Sequence, residues 1–139
     1  MGRIDKDEVG YRQQLIMQCF WEAGGSATVP DIDERLYRKC GTRLSRSALN
    51  SMIQTLIQKG LLETDGKIHQ SIIYKVCLTE EEFRVRELKR VRNLTFHGST
   101  DILAQTLIGS VAGKDELEMI RRYLDKKEKE NGCGDSRRG

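Results

Sequence analysis

The sequence lacks any apolar run approaching the roughly 18 residues of a membrane-crossing helix. Its opening, MGRIDKDEVGYR, has no apolar core of the kind a secretory signal needs. No membrane association is therefore expected. Cys19, Cys40, Cys77 and Cys133 stand far apart. Cysteine frameworks belong to small secreted domains, so this usage points to reduced thiols and a cytoplasmic setting. Cys19 falls on an apolar helical face and Cys77 in an apolar strand, where a free thiol acts as a small hydrophobe. There is no Gly-rich phosphate loop and no Ser-x-x-Lys or His-Glu-x-x-His pattern. The two histidines, His69 and His97, have no identifiable nucleophile or acid partner. No enzyme activity, cofactor or metal site is expected. Nor is one sign of charge in large excess, with 24 basic against 21 acidic residues.

What remains is ample for a core. Leu, Ile, Val and Phe make up about a quarter of the 139 residues, above the roughly 20% below which disorder is the default. That length suits one compact domain or two small ones. The net charge of +3 is unevenly placed. Residues 41–78 carry five basic and two acidic side chains, whereas residues 1–40 and 99–139 are near balance.

Periodicity predicts helix over residues 8–23, with Leu15, Ile16, Cys19, Phe20 and Ala23 on one stripe and Gly24-Gly25 as the stop. Thr28 is placed to cap a second helix with Pro30 in its first turn, Ile32 and Leu36 inside and Gly41 beyond its end. Ser45 caps a third helix, 46–59, whose buried stripe is Leu49, Met52, Ile53, Leu56 and Ile57 and whose stop is Gly60. Residues 61–78 read as a β-hairpin, with Asp65-Gly66 as its turn signal and Ser71 to Leu78 as the second strand. Thr79 and Glu82 form a capping box opening a long helix. Further helices are expected over 100–111 and 114–129, and residues 131–139 read as a disordered tail.

Three helices followed by a hairpin is the winged version of the helix-turn-helix, in which the last helix enters the DNA major groove. The expected fold is thus mainly α with a small β-hairpin wing, followed by a helical dimerisation region. The outward face of helix 46–59 carries Ser47, Asn50, Ser51 and Gln54, and no acid occurs from Gly41 to Leu62. Asn and Gln pair bidentately with adenine, so these four are the expected base-facing residues. Arg43, Ser45, Arg46, Lys59 and, on the wing, Lys67 are the expected phosphate contacts. The three C-terminal helices carry single apolar stripes and are too small for a core of their own. A second copy is the expected cover, through Phe83, Leu88, Val91, Ile102, Leu103, Leu107, Leu117, Ile120 and Leu124. The domains are expected at 1–78 for DNA binding and 79–130 for dimerisation. Two recognition helices in a homodimer would read a palindromic operator in double-stranded DNA. Two other functions fit the same elements: a winged-helix protein-interaction module without DNA binding, and a ligand-sensing winged-helix regulator of another family.

The sequence also resembles the penicillinase and methicillin-resistance repressors with their copper-responsive relatives. The marks are Trp21-Glu22-Ala23-Gly24, Thr28-Val29-Pro30-Asp31-Ile32, and the run from Ser45 through Leu49, Ser51, Ile53 and Leu56 to Lys59-Gly60-Leu61-Leu62. Tyr74, Thr79-Glu80-Glu81-Glu82 and Glu116-Leu117-Glu118-Met119-Ile120-Arg121 with Leu124-Asp125 continue it. The resemblance implies a homodimeric repressor of palindromic operators, released by proteolysis in the dimerisation region or by metal. The chain departs from the pattern at Ala48 and Thr55, where the family commonly has Thr and Arg. Gln105-Thr106 replaces the Asn-Phe cleavage bond of the penicillinase type, and Cys133 stands alone where the copper type has paired Cys-x-Cys motifs.

Overall fold

The computed structural model describes residues 8–135, with side chains described to residue 131. Helix α1 (Tyr11–Glu22) ends at two successive glycines of positive φ, Gly24 at 92° and Gly25 at 104°. This is a conformation that side chains with a Cβ rarely adopt. The chain leaves this turn as a short strand, β1 (Ser26–Thr28), which the sequence did not announce. Only Ala27 of its three residues is buried, and such a pattern is too short to read as alternation. Helix α2 (Val29–Cys40) follows directly, with Pro30 in its first turn; Thr28 occupies the cap position but its side chain makes no capping hydrogen bond. Helix α3 (Arg46–Gln58) is capped as expected, Ser45 Oγ accepting from the Ala48 amide at 3.0 Å. Its end is closed by the Gly60 and Leu61 amides, which donate to Ile57 and Leu56 carbonyls at 2.9 Å.

Strands β2 (Leu62–Ile68) and β3 (Ser71–Val76) form the wing. The sheet is antiparallel throughout, in the order β1-β3-β2. Ala27 lies opposite Tyr74, and Leu62 lies opposite Val76. The hairpin turn is not at Asp65-Gly66, as its composition suggested, but at His69-Gln70, with φ of 48° and 70°. Thr64 pairs with Tyr74 and Lys67 with Ile72, so β2 holds one extra residue between them. Gly66, at φ 96°, supplies the left-handed conformation of that bulge. Asp-Gly thus marks a bulge here, and the ladder runs past it to the true turn.

The core lies between α1, α2, α3 and the sheet. Ile16, Phe20, Ile32, Leu49, Ile53 and Leu56 are each fully buried, and each contributes roughly 1.5–3 kcal/mol of transfer free energy. Helix α4 (Glu80–Leu94) begins with the expected capping box: Thr79 Oγ1 accepts from the Glu82 amide at 3.0 Å, and the Thr79 amide donates to Glu82 at 2.9 Å. Its first turns belong to this core. Phe83, expected at a dimer interface, is instead only 6% exposed, with its ring 5.3 Å from that of Trp21. The Trp21 indole N–H also donates to the Leu78 carbonyl at 3.1 Å. One turn into α4, Phe83 thus packs on Trp21 at the end of α1.

The chain divides into two compact units after Arg86, inside α4, eight residues beyond the boundary read from the sequence. In the second unit, Ser99 caps α5 (Thr100–Thr106), its Oγ accepting from the Ile102 amide at 3.0 Å. One wider, π-helical turn, Leu107–Val111, replaces the α-helix expected there. Helix α6 (Lys114–Asp135) runs past residue 131, where a disordered tail was expected; residues 136–139 lie outside the described residues.

Candidate nucleic-acid interface

The outward face of α3 is polar because its inward face takes every large apolar side chain of the segment. Ser47, Asn50, Ser51 and Gln54 are all exposed on it. The helix has no acid in its first turn, so its positive end is uncompensated from within. Asn50 and Gln54 line a hollow of about 450 Å³ together with Arg46, with Val29 and Pro30 at the start of α2, and with Gln70, Ser71, Ile72 and Tyr74 of the wing. Helix α3 and the tip of the hairpin therefore share one concave surface. Gln70 comes to this surface because the hairpin turns at His69-Gln70, four residues beyond Gly66.

The expected phosphate contacts separate into three groups. Lys67 is exposed on β2 and has no ion-pair partner among the described residues. Arg43 and Arg46 are about half exposed at the entry to α3, but α2 supplies carboxylates to both. Arg43 Nη1 lies 3.1 Å from Asp33 and its Nη2 3.3 Å from Glu34, while Arg46 Nη2 lies 3.8 Å from Asp33. The Arg43 guanidinium also sits 4.2 Å over the Tyr37 ring. Ser45 uses its oxygen as the α3 cap, leaving only its hydroxyl hydrogen for a phosphate.

Lys59 is turned elsewhere. At the far end of α3, its ammonium donates to the Glu8 carbonyl and, at 3.2 Å, to Gln13 Oε1. It ties the end of α3 to the start of α1, because its long stem reaches across the seam between the two helices. The residues that sequence reading missed are Asp33 and Tyr37, which organise the arginines. Their only sequence signal is an acidic pair, Asp33-Glu34, about ten residues ahead of the basic one. The wing's own acids, Glu63 and Asp65, are held by Lys75 at 3.6 and 3.7 Å.

Among the described residues no group of three His, Cys, Asp or Glu side chains is placed to hold a metal ion. No helix of the described residues is long and apolar enough to cross a membrane.

The chain is similar to RosR of H. salinarum, at 20% identity and a TM-score of 0.53, with 88% of this chain and 96% of that one covered. The hsRosR-S1 complex gives 20% identity and 0.54, covering 89% and 96%. At such identity the likeness establishes a shared fold. No curated protein matches the chain. The penicillinase repressor family matches over residues 9–126. That match takes in both the winged unit and most of the helical one, and the chain accordingly belongs to the penicillinase repressor family of DNA-binding transcriptional regulators.

Proposed function

We propose that the chain acts as a cytoplasmic homodimer that represses transcription by docking α3 into the major groove of a palindromic operator. The observation that carries this reading is the single concave surface joining the acid-free polar face of α3 to the wing. Asn50, Gln54, Ser47 and Ser51 face the bases, and Lys67, Arg43, Arg46 and the Ser45 hydroxyl face phosphates. The dimer reading has separate support. From residue 87 to residue 131 no side chain is buried, and Leu88, Ile102, Leu107, Met119, Tyr123 and Leu124 are each more than 40% exposed. Surfaces of this kind call for a partner, and a second copy is the simplest one. Leu103, Leu117 and Ile120, partly covered within the chain, flank the same stripes.

Fluorescence anisotropy across a salt series tests the reading, using a duplex from the gene's own upstream region and a scrambled duplex of equal length. The expected outcome is at least about a hundredfold preference for the first, with affinity falling steeply as salt rises. Asn50→Ala should weaken the specific complex by roughly 1–3 kcal/mol and leave scrambled DNA almost unaffected. Equal losses on both duplexes would remove Asn50 from base recognition. No binding even at low salt would point to a protein-interaction module instead.

A further inference from the structure

Asp33 is more enclosed than either arginine it meets: its side chain is 19% exposed, against 48% for Arg43 and 55% for Arg46. One carboxylate oxygen faces both guanidinium groups, at 3.1 and 3.8 Å. Arg43 belongs to the turn between α2 and α3, and Arg46 is the first residue of α3 and part of the hollow's wall. Asp33 accepts a hydrogen bond from Arg43, and its contact with Arg46 Nη2 is a longer ion pair without a hydrogen bond. A guanidinium has five N–H donors in a fixed plane, so most of the Arg46 donors stay available. The remaining edge of that plane is open to a DNA acceptor while the carboxylate's charge draws the Nη2 side toward α2.

Two effects of the Asp33 charge oppose each other. Its negative field repels phosphates, whatever the DNA sequence. Its attraction for Arg46 narrows the rotamer freedom that a bound arginine must otherwise lose on binding, which matters only where one geometry is required. Random DNA, held by loose phosphate contacts, feels chiefly the first effect. A duplex held in register by Asn50 and Gln54 feels the second as well. We propose that Asp33 is a positioning residue that sets sequence specificity, orienting Arg46 for the complex in which α3 is in register. This rests on the DNA-binding reading above.

The test uses the full chain, a duplex selected by the wild-type protein from a randomised pool, and a scrambled duplex. Asp33→Asn keeps the side chain's shape and removes its charge. The expected result is about a threefold to tenfold loss of affinity for the selected duplex, the scale of one freed arginine, with affinity for the scrambled duplex unchanged or raised. In an Arg46→Gln background the same substitution should no longer weaken the selected complex, an outcome that a general loss of folding would not produce. Parallel changes on both duplexes, or a loss that persists without Arg46, would overturn the proposal. A wild-type protein that selects no duplex at all would instead overturn the DNA-binding reading on which it rests.

Discussion

The Cys19 thiol is fully buried on the inner face of α1, and burial, aided by the nearby Glu22 carboxylate, pushes its pKa up from 9.0 to about 11. The folded state therefore favours the protonated thiol. Its contribution is complete below pH 9, the unfolded value, and is lost as pH climbs through 11. Denaturant titrations at pH 8 and pH 11 should show the wild type losing on the order of 2–3 kcal/mol more than Cys19→Ala. Equal losses would mean that the thiol does not titrate with the fold. Cys19 was legible in the sequence because its helical stripe is local. Phe83 and Lys59 were not. Each has a plausible surface position in its own helix, and each is claimed by a partner far along the chain, Trp21 for one and the Glu8 carbonyl and Gln13 for the other.

At the scale of elements, the wing joins two left-handed features in one hairpin. Gly66 occupies the bulge at φ 96°, with open space where a Cβ would stand. Gly66→Ala should therefore destabilise by backbone conformation alone, roughly 1–2 kcal/mol in chemical denaturation. Gln70→Gly, at a turn residue with φ 70°, should act in the opposite sense. If both substitutions destabilise, the division of roles between bulge and turn is wrong. The hairpin was legible from its β-branched strand, but its turn was not, since Asp-Gly suits a bulge and a tight turn alike and only the register with β3 separates them. Helix starts at Ser45 and at Thr79 with Glu82 were legible because a cap is decided within three residues. Strand β1 escaped because its identity comes from pairing with β3, nearly fifty residues away.

For the whole molecule, the two units differ in how they meet water. The first closes over a core, and the second leaves its apolar stripes outside. The single apolar stripes of the C-terminal helices made this asymmetry readable, and the two compact units part inside α4. Sedimentation at micromolar concentration should find the full chain dimeric. A fragment ending at Leu94, which retains Phe83, should be folded, largely monomeric and much weaker on a palindromic duplex. A dimeric fragment would move the interface into the first unit. Within the first unit, the passage from the wing into α4 carries a signal of its own. Trp21 is the chain's one tryptophan, and it joins the end of α1 to the Leu78 carbonyl and to Phe83 in the first turns of α4. Its ultraviolet emission is consequently an unlabelled, single-site gauge of the joint through which the wing passes into the long helix.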